Sequence, residues 1–299
     1  LEHASKKPSA DVAKQAIRNA VEIWGNPMVS ELLPAKQMEF IRALREGYDG
    51  QEPLSDHTIL SRLSRIWAAM NYCKAEGIIQ FVPTMVRRER WEPHLPSGGR
   101  ELSIAELGRL FHEAGRRDTP TSREHLWRFM VLAVGTAHRR SALQELRKDQ
   151  VDLENGIIQL NPEGRRQTKK RRPTLPMSQI LRAHIKEWDA SPSGHYVTYN
   201  GRPLTSDTWF DNLREAAKVD CSANDIRHTV ITWMVKQKVD PVQRRIFEGH
   251  KAPSESGAED SYIHLDPNYL IEPRRAVDKL FKAIAPHVKS RQLVKRQAS

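Results

Sequence analysis

Apolar residues over the first ninety positions recur at helical spacing. Val12, Ala16, Ala20 and Ile23 form one stripe, Met38, Ile41 and Leu44 a second, and Ile59, Leu63, Ile66, Trp67 and Met70 a third. Helices that bury one face against each other produce this spacing. The pattern predicts a small helical domain over residues 1–92 with the Trp and Leu positions in its core. Arg62, Arg65 and Lys74 then face either a duplex or plain solvent. The run Glu92-Pro-His-Leu-Pro-Ser-Gly-Gly99 breaks the pattern with two prolines and two glycines. That composition resists both helix and strand, so residues 93–100 read as a linker.

A second domain is predicted over residues 101–299. Ser103-Ile-Ala-Glu106 has the form of a capping box ahead of Leu107, Leu110 and Phe111, and starts a helix. Leu126 to Val134 is apolar almost all round, which predicts a buried helix ending at Gly135. Ile157–Leu160 and Thr174–Met177 read as two short strands, a hairpin with a long tip. Ser222-Ala-Asn-Asp225 caps a helix whose Ile226, Val230, Trp233 and Met234 form a core stripe. A last helical stripe holds Val277, Leu280, Phe281 and Ile284. The expected fold is mainly α with a small β-sheet, an α+β class, and no internal repeat is evident.

Charge changes the picture. With 48 Lys and Arg against 37 Asp and Glu, the chain carries a formal +11 and a pI near 9.7, which points to a polyanionic partner. The charge is clustered. Glu163 to Arg172 holds six basic residues in ten, and Arg274 to Ser299 holds eight with Asp278 as the sole acid. No run approaches the roughly 20 apolar residues that span a bilayer, and no secretory signal is present, so a cytoplasmic, nucleoid-associated protein is expected. Cys73 and Cys221 are too few for a disulfide framework and lack zinc-site spacing. No metal or other cofactor is expected.

Three segments carry candidate chemistry. Gly135-Thr-Ala-His-Arg139-Arg-Ser-Ala-Leu-Gln-Glu-Leu146 sets an arginine between a buried helix and the start of another. Asn224 and Arg227 share a face near a helix N-terminus, where free N–H groups and the helix dipole favour an anion. Two arginines on separate elements can grip one phosphate, since their planar donor forks match its oxygens. Further on come Gly249-His250 and Ser261-Tyr262-Ile263-His264.

Taken in order, these pieces resemble the tyrosine recombinase (phage integrase) family over roughly residues 100 to 285. The segment around Arg139 is similar to the family's first arginine box and QTKKRRPTLP to its hairpin lysine region. NDIRHTVITWMV is similar to its H-x-x-R helix, and EGHKAPSESGAEDSYIHLDPNYL to its Gly-His segment followed by the nucleophilic tyrosine. The resemblance implies that Tyr262 attacks a DNA phosphate to form a 3′-phosphotyrosine bond and free a 5′-hydroxyl. Arg139, Arg227 and His250 would stabilise the transition state, and Lys169 would protonate the leaving oxygen. Arg140 is the rival to Arg139. Lys170 is the rival to Lys169, since a one-residue slip turns a hairpin side chain to the other face. Arg165, Arg166, Lys170, Arg171 and Arg172 are expected as solvated charges or DNA phosphate contacts, and His228 and His264 as structural.

Three positions depart from the family pattern. Asn224 stands where a histidine is usual, and an amide cannot take a proton. Ala142 stands where the first box often has a glutamate. Eleven residues separate His250 from Tyr262, more than is typical. A homo-tetramer on two DNA duplexes is implied, with Arg274–Ser299 either docking on a neighbouring subunit or packing on its own domain. The alternative function is a catalytically silent DNA-binding homologue in which Asn224 and Ala142 mark a decayed site.

Overall fold

The computed structural model describes residues 10–94, 99–119, 121–167, 171–204, 206, 208–250 and 269–294. The chain falls into two compact units, Leu1–Ser97 and Gly98–Ser299. The first is built on α1 (Ala10–Trp24), α2 (Pro34–Glu46) and α3 (Asp56–Ala75). Phe40, Ile41, Leu44, Ile59 and Leu63 are sealed at its centre. Val12 stays exposed despite its place in the first stripe, and only Ala16 of that stripe is fully buried. Fully buried Gln37 ties the chain after α3 to α2. Its amide donates to Leu32 O and Thr84 O (2.8 and 3.0 Å) and accepts from Val86 N–H at 2.6 Å.

Arg62 does not face outward as a duplex contact would. Its guanidinium donates to Asn19 Oδ1, and Asn19 joins Tyr48, whose hydroxyl donates to Glu22 at 2.7 Å. The network knits α1 to α3, and desolvation there lowers the Arg62 pKa. Arg65 is half-buried on the same helix.

The second unit contains α4 (Ile104–Gly115), α5 (Glu124–Thr136), α6 (Arg140–Gln144), the strands β1 (Val151–Asp152), β2 (Ile157–Gln159) and β3 (Thr174–Pro176), and α7 (Gln179–Ile185). A two-stranded ribbon of β4 (Thr198–Tyr199) and β5 (Arg202–Pro203) follows, then α8 (Thr208–Ala216), α9 (Ala223–Lys236), α10 (Pro241–Phe247) and α11 (Ile271–Ile284). The three-stranded sheet is antiparallel in the order β1-β2-β3, with Ile158 opposite Leu175. The unit is thus α+β, mostly helical with small sheets. The capping box on α4 is formed: Ser103 N–H donates to Glu106 at 2.8 Å, and Ser103 Oγ accepts from Glu106 N–H at 3.2 Å.

Helix α5 is the axis of this unit. All its residues from His125 to Thr136 are buried except Arg128, and α4, α6, α7, α8, α9 and α11 pack around it. It does not end at Gly135. The turn continues to Thr136 and closes on Ala137 in the left-handed region at φ 52°. Gly135 is an internal contact glycine, since a Cβ there would lie 2.8 Å from the Leu181 side chain of α7.

The C-terminal helix does not extend away as a docking tail. Val277, Leu280, Phe281 and Ile284 are 0% exposed, packed against α4, α5, α7 and α9 of their own unit. From the end of α11 to Leu293 the chain stays on that surface. Ser290 Oγ donates to His112 O at 2.6 Å, Arg291 pairs with Glu124 at 2.6 Å and stacks over Trp127, and Leu293 O accepts from His184 Nε2 at 2.8 Å. Burial of this stripe in cis overrides its availability to a neighbour.

Candidate phosphate-binding site

The site grows from two helix ends that meet. Helix α5 stops at Ala137, whose left-handed backbone turns the chain so that Arg139 sits as the N-cap residue of α6. Opposite, the Asp225 carboxylate accepts from the Ser222 N–H and hydroxyl (2.7 and 2.8 Å) at the start of α9. Arg227 follows just past the first turn, on the buried side of α9. Its guanidinium donates to Ala137 O at 2.6 Å and to Glu248 O at 2.9 Å. Two backbone carbonyls therefore fix Arg227 to the end of α5 and to the end of α10.

The end of α10 is a Schellman motif. Gly249 N–H donates to Ile246 O and His250 N–H to Arg245 O, both at 2.9 Å, with Gly249 at φ +76°. A glycine is required there twice over: the φ is left-handed, and a Cβ would lie 2.7 Å from Arg171 O and 3.1 Å from Pro173 Cδ. The motif delivers His250 with its side chain 46% exposed and its Nδ1 3.4 Å from Glu248. The β2–β3 connection, the α10 end and the α5–α6 turn thus meet at one place.

Among the described residues the Arg227 charge has no ion-pair partner. Arg227 is only 8% exposed. Burial, reinforced by the positive charge of Arg139, lowers its pKa to about 10, with Glu248 opposing from further away. Arg139 is half-buried beside it. Arg140 instead lines a separate cleft with Arg100, Phe210, Asp211 and Arg214.

His138, which no motif or spacing singles out, lies beside the pair. Its Nδ1 is 2.9 Å from Thr136 O, so that nitrogen carries the proton, and Nε2 is a buried lone pair with no hydrogen-bond partner among the described residues. Desolvation, with Arg227, Arg139 and Arg172 adding to it, pushes its pKa down to about 3. A neutral imidazole is thereby held among three guanidinium groups.

Asn224 is exposed on the first turn of α9 and His228 is exposed one turn later; Ser222, not Asn224, is the N-cap residue. Arg166 and Arg171 are exposed, while Arg165 is half-buried and donates to Asn161 at 2.7 Å. Arg172 departs from the expectation of a solvated phosphate contact. It is 8% exposed and its Nη1 donates to Glu145 at 2.6 Å, because the residue after exposed Arg171 turns inward to β3. Lys169, Lys170, Tyr262 and His264 lie outside the described residues. Among the described residues no group of three or more His, Cys, Asp or Glu could hold a metal ion, and no helix is long and apolar enough to cross a membrane.

Solved structures share this fold. The Tn1549 transposon integrase, in complex with circular intermediate DNA, aligns over 88% of this chain and 92% of its own at 17% identity and a TM-score of 0.64. A λ integrase (75–356) dimer bound to a COC′ core site aligns over 86% and 88% at 13% identity and 0.61. At these identities the likeness establishes the fold. The sequence model of the phage integrase family matches residues 101–268, more than half of the chain, and the chain belongs to that family. The integrase of Salmonella phage P22 is 26% identical over 197 residues, 59% of this chain and 48% of that protein. The chain therefore spans about half the length of the curated relative it matches.

Proposed function

We propose that the protein is a site-specific DNA recombinase that cleaves and rejoins double-stranded DNA through a covalent 3′-phosphotyrosine intermediate. The observation that carries this reading is Arg227: a buried guanidinium aimed by two carbonyls, with no carboxylate in ion-pair distance among the described residues, and set beside a second arginine. Such a pair costs stability unless an anion completes it, and a phosphodiester has the matching geometry. Tyr262 gives up its phenolic proton to His250 or water and its oxygen attacks phosphorus, the bond to the 5′ oxygen breaks, and that oxygen leaves with the electron pair and takes a proton from Lys169. Arg139, Arg227 and His250 bind the non-bridging oxygens where charge builds up. The exchange conserves one phosphoester bond, so rejoining is the same reaction reversed, with no external energy source.

The helical unit over residues 1–92 would act as the core-binding domain, with Arg65 on the duplex. Arg166, Arg171 and Lys170 would contact phosphates. Assembly as a tetramer on two duplexes, as the family implies, would have to use surfaces other than the apolar stripe of α11. Binding should fall steeply with salt as counterions are released.

The test is recovery of detergent-stable protein–DNA adducts from a library of linear duplexes with random cores, in EDTA. Adducts are expected from the unaltered chain and none from Tyr262→Phe. Asn224 favours a second reading, a DNA-binding homologue without cleavage, because an exposed amide there cannot accept the tyrosine proton. Sequence-selective binding with no adduct on any recovered duplex would establish that reading instead.

A further inference from the structure

The basic connection between β2 and β3 is anchored far more firmly than a chain of surface charges needs. Gln167 makes both hydrogen bonds that a paired strand residue would make to Arg172: its Nε2 donates to Arg172 O at 2.8 Å and its Oε1 accepts from Arg172 N–H at 3.1 Å. The two ends of the 168–171 segment are thereby tied together. The Arg172 side chain, 9% exposed, then reaches across to Glu145, which is 54% exposed. Glu145 is the C-cap of α6, the helix whose N-cap is Arg139. One residue before Arg172, the Arg171 carbonyl is the wall against which Gly249 packs; one residue after, Leu160 N–H donates to Pro173 O at 3.1 Å and continues the sheet. Arg172 is therefore the fastening between the connection, the arginine helix and the turn that delivers His250.

We infer that Arg172, paired with Glu145 and clamped by Gln167, is a positioning residue: it fixes where the basic β2–β3 connection returns to the Arg139–Arg227 site, and so governs protonation of the leaving 5′ oxygen. The inference rests on the recombinase reading above. It separates Arg172 from the neighbouring basic residues, since a guanidinium turned inward onto a carboxylate is spent on geometry and not on DNA. It also explains how α6 is held although Ala142 offers no carboxylate of its own: Glu145, one turn on, supplies one.

The test uses a duplex recovered as an adduct with the unaltered chain, resynthesised with sulfur in place of the scissile 5′ oxygen. A thiolate leaves without a proton, so it bypasses any defect confined to general acid catalysis. Arg172→Met and the half-exposed variant Glu145→Gln are expected to form adduct about 10²-fold more slowly on the oxygen duplex, the lower range for loss of a general acid. Both should bind DNA as the unaltered chain does and react at its rate on the sulfur duplex, and Arg172→Lys should recover much of the oxygen rate. Thermal unfolding of Glu145→Gln checks that the unit remains folded. Variants equally slow on both duplexes, or unimpaired on oxygen, would overturn the inference while the recombinase reading stands. Absence of adduct from the unaltered chain would overturn the reading itself and the inference with it.

Discussion

Two arginines in the C-terminal unit are buried to the same extent, 8% exposed each, and are compensated in opposite ways. Arg172, at the corner of α6 and the β2–β3 connection, meets the Glu145 carboxylate. Arg227, at the junction of α5, α9 and α10, meets two backbone carbonyls. A carbonyl dipole orients a guanidinium without cancelling its charge. Desolvation therefore acts on Arg227 opposed only by the Glu248 charge, and Arg139 adds a like charge. The lesson is that burial does not separate a structural arginine from an anion receptor; the partner does. One corner is closed by its own carboxylate, and the other has no carboxylate partner among the described residues.

The comparison breaks most visibly at Arg227 itself. Arg227→Gln should slow adduct formation by about 10²- to 10³-fold, the typical effect of removing one preorganised donor. Sulfur at the scissile position should not restore it, in contrast to Arg172→Met. Equal rescue of both variants would erase the distinction between the two corners.

Next comes Gly249→Ala, which attacks the α10 end whose Glu248 carbonyl holds Arg227. Left-handed backbone at a non-glycine residue costs of the order of 1–3 kcal/mol, and the new methyl would also press on Arg171 O. A lower melting temperature together with loss of adduct is expected; an unchanged melting temperature would show that the α10 turn adapts freely.

His138 lies near both corners and reports on their shared field. Its pKa is about 3 in the folded chain against 6.5 for the ordinary group. The unfolded chain thus takes up a proton below pH 6.5 that the native chain refuses until about pH 3. Stability is lost as pH falls through that window, at up to about 1.4 kcal/mol per pH unit. Between pH 7.5 and 5 the unaltered protein should therefore lose about 2 kcal/mol more than His138→Asn, which keeps a donor for Thr136 O and does not titrate. Parallel pH–melting curves for the two proteins would contradict the buried neutral imidazole.

The smallest effect is expected at Asn224, one turn before Arg227 and on the exposed side of α9. Asn224→His should leave DNA affinity nearly unchanged and raise the adduct rate, by tenfold at most if a proton acceptor worth about 1.4 kcal/mol is restored. A slower variant would show that the amide is adapted to this site.

Much of the site was legible along the chain because its signals are local. The Ser103 and Ser222 helix starts and the hairpin strands each rest on a few adjacent residues, and the structure forms them all. Arg139 and Arg227 were legible for the same reason, each lying within a turn of an identifiable helix end. Arg62 and Arg172 look like outward charges in the sequence because their partners, Asn19 and Glu145, are 43 and 27 positions away. His138 gave no signal at all, since an isolated histidine beside an arginine looks the same whether solvated or sealed.

The sequence by itself determined where helices start, which faces are apolar and which residue types stand ready to grip a phosphate, because propensity, capping and periodicity act over a turn or two. Only the tertiary structure decided which cations keep their charge unspent, why the α5 helix runs past Gly135 to Ala137, and that the α11 stripe closes its own core. Those outcomes depend on desolvation and on contacts between residues far apart in the chain, and neither is written in any short stretch of it.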